Sequence, residues 1–319
     1  MTAGTGVIDM TQFAPSTTPV ALIVYNRPDH LKQMLTALKL VKPTMILVIA
    51  DGPKSDADRA GCEACRQLIA EISWPCEIRR NFSDQNLGCR RRISSGISWV
   101  FSQFEEAIFI EDDCIPHPTF FRFCDEMLAH YRNDERVRVI SGDNFQFGNR
   151  FSTFSYYFSL MPHCWGWASW RRAWKYNDVE MRAWPAAEAT DFPRSLLPTD
   201  KAVWYSRKAF SEAYSGKLNS WAIPWEFSIW QTGGLCVLPD VNLVSNIGFG
   251  ADATHCKKPD PCANLPAEEM HFPLRHPPTV EHQLDADLAY YDRIVKYVPA
   301  HFAVPSSEER LSPRVSTNT

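Results

Sequence analysis

Ala107-Ile108-Phe109-Ile110-Glu111-Asp112-Asp113 decides how the rest of this sequence reads. Four apolar residues run without a polar break, the mark of a strand buried on both faces, and they end on three consecutive acids. Carboxylates crowded at the end of a buried strand repel one another and are costly to hold unless a cation sits among them. Oxygen ligands of this kind suit Mg²⁺ or Mn²⁺, which take one or two protein carboxylates and complete their shell with water and phosphate oxygens. The competing reading is a solvated acidic turn, and the place directly after an apolar strand favours the cation.

The flanking segments repeat the pattern of strand, polar break and helix. Val20 to Tyr25 reads as a buried strand, broken by Asn26-Arg27-Pro28-Asp29, and Leu31, Met34, Leu35 and Leu38 then mark one helical face with Pro28 in its first turn. Met45 to Ala50 is a second strand, ended by Asp51-Gly52-Pro53, and Cys65, Leu68, Ile69 and Ile72 give the next helix. Pro75 to Arg80 is a weaker strand, after which Asn86-Leu87-Gly88 opens a helix carrying Ile93, Ile97, Val100, Phe101 and Phe104. Phe120, Cys124, Met127 and Tyr131 follow as a helix and Val137 to Ile140 as a strand. This alternation predicts an α/β fold with a mainly parallel central sheet and helices on both faces. Chemistry is then expected beyond the carboxyl ends of the strands, where Tyr25, Arg27, Asp51 and Glu111 to Asp113 gather.

Arg90, Arg91 and Arg92 fall in the first turn of the third helix, where the helix dipole disfavours cations. A docked anion such as phosphate would make them welcome there, and the competing reading is that they extend into solvent. Together with the acids, they suggest a diphosphate bridged by a divalent cation. Neither a Gly-x-x-x-x-Gly-Lys-Ser/Thr loop nor a Gly-x-Gly-x-x-Gly turn after the first strand is present, which argues against a P-loop nucleotidase and a dinucleotide site.

Composition sets the outer bounds. The 319 residues are 45% hydrophobic and 22% charged, with a net charge of −4, which fits a globular chain and argues against a nucleic-acid-binding surface. The longest apolar strings are six residues, against about 20 for a membrane-spanning helix. Met1 to Thr18 lacks the basic and apolar regions of a signal peptide, so a soluble, cytoplasmic protein is expected. The ten cysteines form no framework, and Cys62 and Cys65 read as the buried stripe of a helix rather than half a zinc site. In the aromatic second half, Trp167, Trp170 and Trp174 at i, i+3, i+7 predict a helical stripe in the core. Trp165 and Trp225 are candidate platforms for an acceptor sugar.

These segments resemble a known family. Pro19 to Arg27, then Ala50-Asp51-Gly52, then Ile110 to Asp113 look like a nucleotide-sugar-dependent glycosyltransferase of the GT-A fold. The closer likeness is to the N-acetylglucosaminyltransferase I type and its bacterial relatives in surface-polysaccharide synthesis. Ser141 to Asn144, Gly166-Trp167 with Trp174, and Pro239 to His255 continue the resemblance, which covers about residues 19–256. It implies a GT-A domain over 19–256, with a nucleotide-sugar half at 19–145 and an acceptor-side half at 146–256. Disordered tails are expected at 1–18 and 305–319, with a packed extension at 257–304.

The resemblance also implies residue roles. Tyr25, Arg27, Asp51, Arg90, Arg91, Glu111 and Asp112 would hold the nucleotide sugar, with Asp51 on the base. Asp113 would ligate Mn²⁺ or Mg²⁺, with His255 reaching the metal or phosphates from a Gly-rich loop. The implied reaction moves a hexose or N-acetylhexosamine from a UDP-sugar to a hydroxyl of a glycan or lipid-linked acceptor, with inversion. That places the chain at the membrane's inner face, if at any membrane, through its acceptor alone. Inversion needs a general base on the acceptor side. The chain departs from the family here, because Ala222 follows Trp221 where relatives carry Asp. Glu226, read as a helix N-terminal acid, and Asp143 are the candidates that remain. The alternatives are a non-catalytic sugar- or protein-binding relative, kept open by Ala222, and a sugar-phosphate nucleotidyltransferase, which would want a Gly-rich basic loop after the first strand.

Overall fold

A computed structural model describes residues 16–249, 261–296, 298 and 299. Strand β1 (Val20–Val24) leads through α1 (Pro28–Val41) to β2 (Met45–Ala50), then α2 (Asp56–Ala70), β3 (Glu77–Phe82) and α3 (Gly88–Gln103). β4 (Glu106–Glu111), the short β5 (Cys114–Pro116), α4 (Thr119–His130) and β6 (Val137–Ser141) complete the first half. These spans follow from the apolar runs: every residue of β1 and β6 is buried, and α1 buries Leu31, Met34, Leu38 and Val41 from one face.

The second half adds β7 (Tyr156–Ser159), β8 (Trp167–Trp170), α5 (Arg171–Trp174), α6 (Trp184–Ala189), α7 (Phe192–Leu196), α8 (Asp200–Tyr214) and α9 (Ala222–Gln231). β9 (Leu235–Pro239), β10 (Val244–Asn246) and α10 (Leu284–Ile294) follow. The eight-stranded sheet runs β3-β2-β1-β4-β8-β6-β9-β7, and β10 pairs with β5 in a separate ribbon. β1 is parallel to β2 and β4, β2 to β3, and β6 to β9, whereas β8 is antiparallel to both β4 and β6 and β7 is antiparallel to β9.

The expected helical tryptophan stripe is therefore corrected. Trp167 to Trp170 is a strand, and only Arg171–Trp174 turns helical. All three tryptophans are buried as expected, but β8 does so by filling the gap between β4 and β6, where its backbone groups find partners on both sides. Phe109 and Trp167 stack across that junction with centroids 4.5 Å apart. The cysteine reading holds, since Cys62 and Cys65 are both buried on α2.

The two sheet edges are managed differently. β3 is a half-exposed edge bearing Glu77, Arg79 and Arg80, charges that discourage pairing with another chain. β7 is fully buried because the C-terminal segment covers it. Gln283 donates its backbone N–H to Phe158, and the Asp287 carboxylate accepts from Ser159 Oγ, the Leu160 N–H at 2.9 Å and His282 at 2.7 Å. At the other end of the chain Ser16 is buried, and its hydroxyl donates to Asp125 at 3.2 Å.

Candidate functional site

Because β1 lies between β2 and β4, the carboxyl ends of three adjacent strands open on one edge, with α1 leaving from β1 and α2 from β2. A cleft of about 400 Å³ occupies that edge, within the range of small-molecule sites. Tyr25, Arg27, Asp51, Glu111, Asp112, Asp113 and Trp165 all line it, so seven of the residues singled out by sequence meet there.

The acids are organised by β1 as much as by β4. Arg27, the residue before α1, reaches both Asp112 (Nη2 to Oδ1, 2.5 Å) and Asp113 (Nη1 to Oδ2, 2.7 Å). The Tyr25 N–H donates to the other oxygen of Asp112 at 2.9 Å. Glu111 accepts from the Trp221 indole N–H at 3.1 Å. Burial, then the neighbouring Asp113, raises the Glu111 carboxyl well above its usual range, against the pull of the Trp221 N–H. Burial also raises Asp112, with Arg27 pulling the other way. If all three acids were ionised they would exceed the one guanidinium by two negative charges, and the raised Glu111 and Asp112 reflect that crowding. Carboxylate oxygens of this kind are the donors a hard divalent cation takes. Among the described residues, no group of three or more His, Cys, Asp and Glu side chains is arranged to hold a metal by itself.

Asp51 lines the cleft, but its carboxylate is occupied. It accepts from the N–H groups of Gly52 (2.9 Å), Leu87 (2.9 Å) and Gly88 (3.0 Å), which pins the loop before α3 and caps that helix's free amides. The arginine run is redistributed in a similar way. Arg90 donates to the carbonyls of Val179 and Ala213, tying α3 to the second half, and Arg91 is exposed outside the cleft. Arg92, not one of the two expected, is the arginine that reaches the cleft wall. It is buried and donates to Ala50 O at 3.1 Å and Asn81 Oδ1 at 2.8 Å, so it joins α3 to the ends of β2 and β3.

The second half contributes one aromatic wall. Trp165 sits edge-on to Phe249 at 5.3 Å, and its backbone N–H donates to Asp143 Oδ2 at 3.0 Å. Trp225 does not face the cleft: it is 1% exposed and packs on Trp174 at 5.0 Å, a core residue rather than a sugar platform. Glu226 lies in the middle of α9, not at its start, so the helix-dipole argument for it fails. Burial, then Asp287, raises its carboxyl to about 8. Asp143 is fully buried at the end of β6, its Oδ1 has no partner, and burial raises it to about 8 against the pull of the Trp165 N–H. Neither acid lines the cleft. His255 lies outside the described residues.

Sequence reasoning missed Lys54, Asn219 and Gly248, which also line the cleft. Lys54 follows the Asp51-Gly52-Pro53 break and could have been found from that position. Asn219 and Gly248 arrive from segments distant in sequence. A Cβ built on Gly248 would stand 1.8 Å from Asp113 Oδ2, so glycine there lets the backbone lie against the carboxylate. Among the described residues no helix is long and apolar enough to cross a membrane.

No protein-family model matches the chain, and no curated protein matches it. Several solved structures are similar in part. GalNAc-T7, crystallised with UDP, GalNAc and Mn²⁺, is 11% identical with a TM-score of 0.47, over 75% of this chain and 45% of that one. Glucosyl-3-phosphoglycerate synthase from Mycobacterium tuberculosis, with Mn²⁺, UDP and phosphoglyceric acid, is 14% identical with a TM-score of 0.30, over 49% of this chain and 56% of that one. TarS 1–349 from S. aureus is 12% identical with a TM-score of 0.36, over 51% of this chain and 49% of that one. This chain thus spans about half the length of each. With all three TM-scores below 0.5, the residues of the cleft carry the functional reading.

Proposed function

We propose that this chain is a GT-A glycosyltransferase that moves a hexose or N-acetylhexosamine from a UDP-sugar, with Mn²⁺ or Mg²⁺, to a hydroxyl of a glycan or lipid-linked acceptor. The observation that carries this reading is the group formed by Arg27, Glu111, Asp112 and Asp113 at the carboxyl ends of β1 and β4, opening on one cleft. It combines surplus negative charge for a divalent cation with a guanidinium for the phosphates that cation would bridge.

Asp113 would hold the metal, whose contribution is to offset the charge that develops on the departing nucleoside diphosphate. Arg27 and Lys54 add fixed positive charge on the same side. The Tyr25 ring and the loop pinned by Asp51 form the wall on which a nucleobase would lie, with Asp51 shaping that wall. Glu111, oriented by Trp221, faces the donor sugar. Trp165 offers the acceptor side an aromatic surface for sugar C–H groups.

Inversion would require a base for the acceptor hydroxyl, and the two candidates, Asp143 and Glu226, both have carboxyls that burial raises to about 8, which suits a proton acceptor near neutral pH. Asp143 stands nearer the proposed acceptor surface, one hydrogen bond from Trp165. A role in surface-polysaccharide synthesis, in the cytoplasm or at the inner face of a membrane, accords with such an acceptor.

A panel of nucleotide sugars incubated with the protein and Mn²⁺ tests the reading through release of nucleoside diphosphate. UDP-sugar turnover that disappears with a chelator is the expected result. The distance of both base candidates from the cleft favours one other reading, a sugar- or nucleotide-binding protein without transfer. Tight UDP-sugar binding with no turnover for any acceptor would establish that reading instead.

A further inference from the structure

Arg27 bridges two carboxylates that differ in how firmly they are otherwise held. Asp112 keeps a second anchor, the Tyr25 N–H on Oδ2 at 2.9 Å. Besides Arg27, Asp113 has the thiol of Cys114, a weak donor at 3.5 Å. Asp113 Oδ2 is also confined by the backbone at Gly248, where a Cβ would stand 1.8 Å away. Removing the guanidinium from Asp113 therefore breaks one strong bond, and removing it from Asp112 leaves that acid still anchored.

We propose that Arg27 is a cation-responsive latch. Without a divalent cation one arm of its guanidinium holds Asp113; when a cation takes Asp113, that arm is freed for the donor diphosphate while the other stays on Asp112. This rests on the nucleotide-sugar reading above and adds its regulation. A guanidinium and a divalent cation compete for one carboxylate oxygen, and like charges so close disfavour sharing it. A diphosphate relieves the conflict by accepting the freed arm. The cation and the nucleotide should then each strengthen the other's binding by the same factor. The latch would keep the cation site closed until a donor arrives.

The test is calorimetry on the full chain with Mn²⁺ alone, UDP alone and both together, for the unmodified protein and Arg27→Gln. The unmodified protein should bind Mn²⁺ alone weakly and bind it with UDP strongly. Arg27→Gln should bind Mn²⁺ alone about tenfold more tightly, the scale of one charge-assisted bond, and should bind UDP in saturating Mn²⁺ about tenfold more weakly. An Arg27→Gln protein that binds Mn²⁺ alone no more tightly than the unmodified chain overturns the latch. If circular dichroism shows that Arg27→Gln does not fold, Arg27→Lys decides. Its single ammonium lacks the fork that spans both acids, so Mn²⁺ alone should bind it more tightly than the unmodified chain, and an unchanged affinity overturns the latch. If the unmodified protein shows no Mn²⁺-dependent UDP binding, the nucleotide-sugar reading fails. Intact coupling there without a gain in the variant sinks the latch alone.

Discussion

An aspartate stands two residues beyond β4 and another two residues beyond β6, and the two are chemically opposite. After β4, Asp113 meets Arg27 and faces a cleft. After β6, Asp143 is fully buried, accepts one backbone N–H on Oδ2 and has no protein partner on Oδ1. The same placement, an acid two residues beyond a buried strand, thus gives a guanidinium-paired group on a cleft in one case and a carboxyl pushed toward its neutral form by burial in the other. The difference is what the neighbouring strand supplies. β1 delivers a guanidinium beside β4, while β6 lies between β8 and β9, whose nearby residues are aromatic and aliphatic.

Asp113→Ala gives the comparison its hardest test. Loss of the cation's carboxylate should reduce transfer on the order of 100- to 1,000-fold with the thermal transition retained. Full donor turnover in that variant would place the site elsewhere. Trp225→Ala should act oppositely, removing about 3 kcal/mol of stability, because the side chain is buried against Trp174. Trp165→Ala is its counterpart at the cleft and should raise the acceptor KM while leaving denaturant unfolding nearly unchanged. Equal loss of stability in both variants would erase the distinction between core and wall.

Gly248→Ala is expected to cost about 1–3 kcal/mol in denaturant melts, or to weaken Mn²⁺-dependent UDP binding if the backbone yields, because the new methyl meets Asp113. Asp143→Asn should show an effect that depends on pH and is small only in acid. Asp143 titrates near 8 in the folded chain and near ~3.9 when exposed. Its neutral form is therefore accommodated without penalty below about pH 4, and stability is lost as pH rises through the folded value. Asp143→Asn removes that loss, so the variant's melting temperature relative to the parent should be higher at pH 8 than at pH 5. A relative melting temperature that does not change between those pH values would mean that Asp143 is ionised in the fold. If Asp143 is also the catalytic base, the same variant would abolish transfer while gaining stability at pH 8.

The cleft edge was legible because its information is local. Val20 to Tyr25, Met45 to Ala50 and Ala107 to Ile110 announce buried strands, and the residues directly after them land together because parallel strands end on one edge. The capping role of Asp51 was not legible, since its partners Leu87 and Gly88 come from a loop far along the chain. Trp167 to Trp170 misled because four residues that satisfy a helical spacing equally satisfy a strand buried on both faces, and only the vacancy between β4 and β6 chooses between them. Glu226 was placed at a helix start because the helical run was read from Glu226 itself, whereas α9 begins at Ala222 and carries Pro224 in its first turn, where proline is tolerated.

The antiparallel β8 has a consequence for how the chain reaches this state. β4 and β6 are made early, yet neither borders the other, and both need residues 167–170 as their shared neighbour. While the chain is being synthesised, β4 keeps one unpaired edge and β6 two until that tetrapeptide inserts, and the far edge of β6 stays open until β9 is made, long-range closures of the kind that slow folding. Open apolar edges invite pairing with other chains. The wait for Trp167 to Trp170 should therefore be an aggregation-exposed stage of folding, and a truncated chain ending before them should be recovered mainly as aggregate.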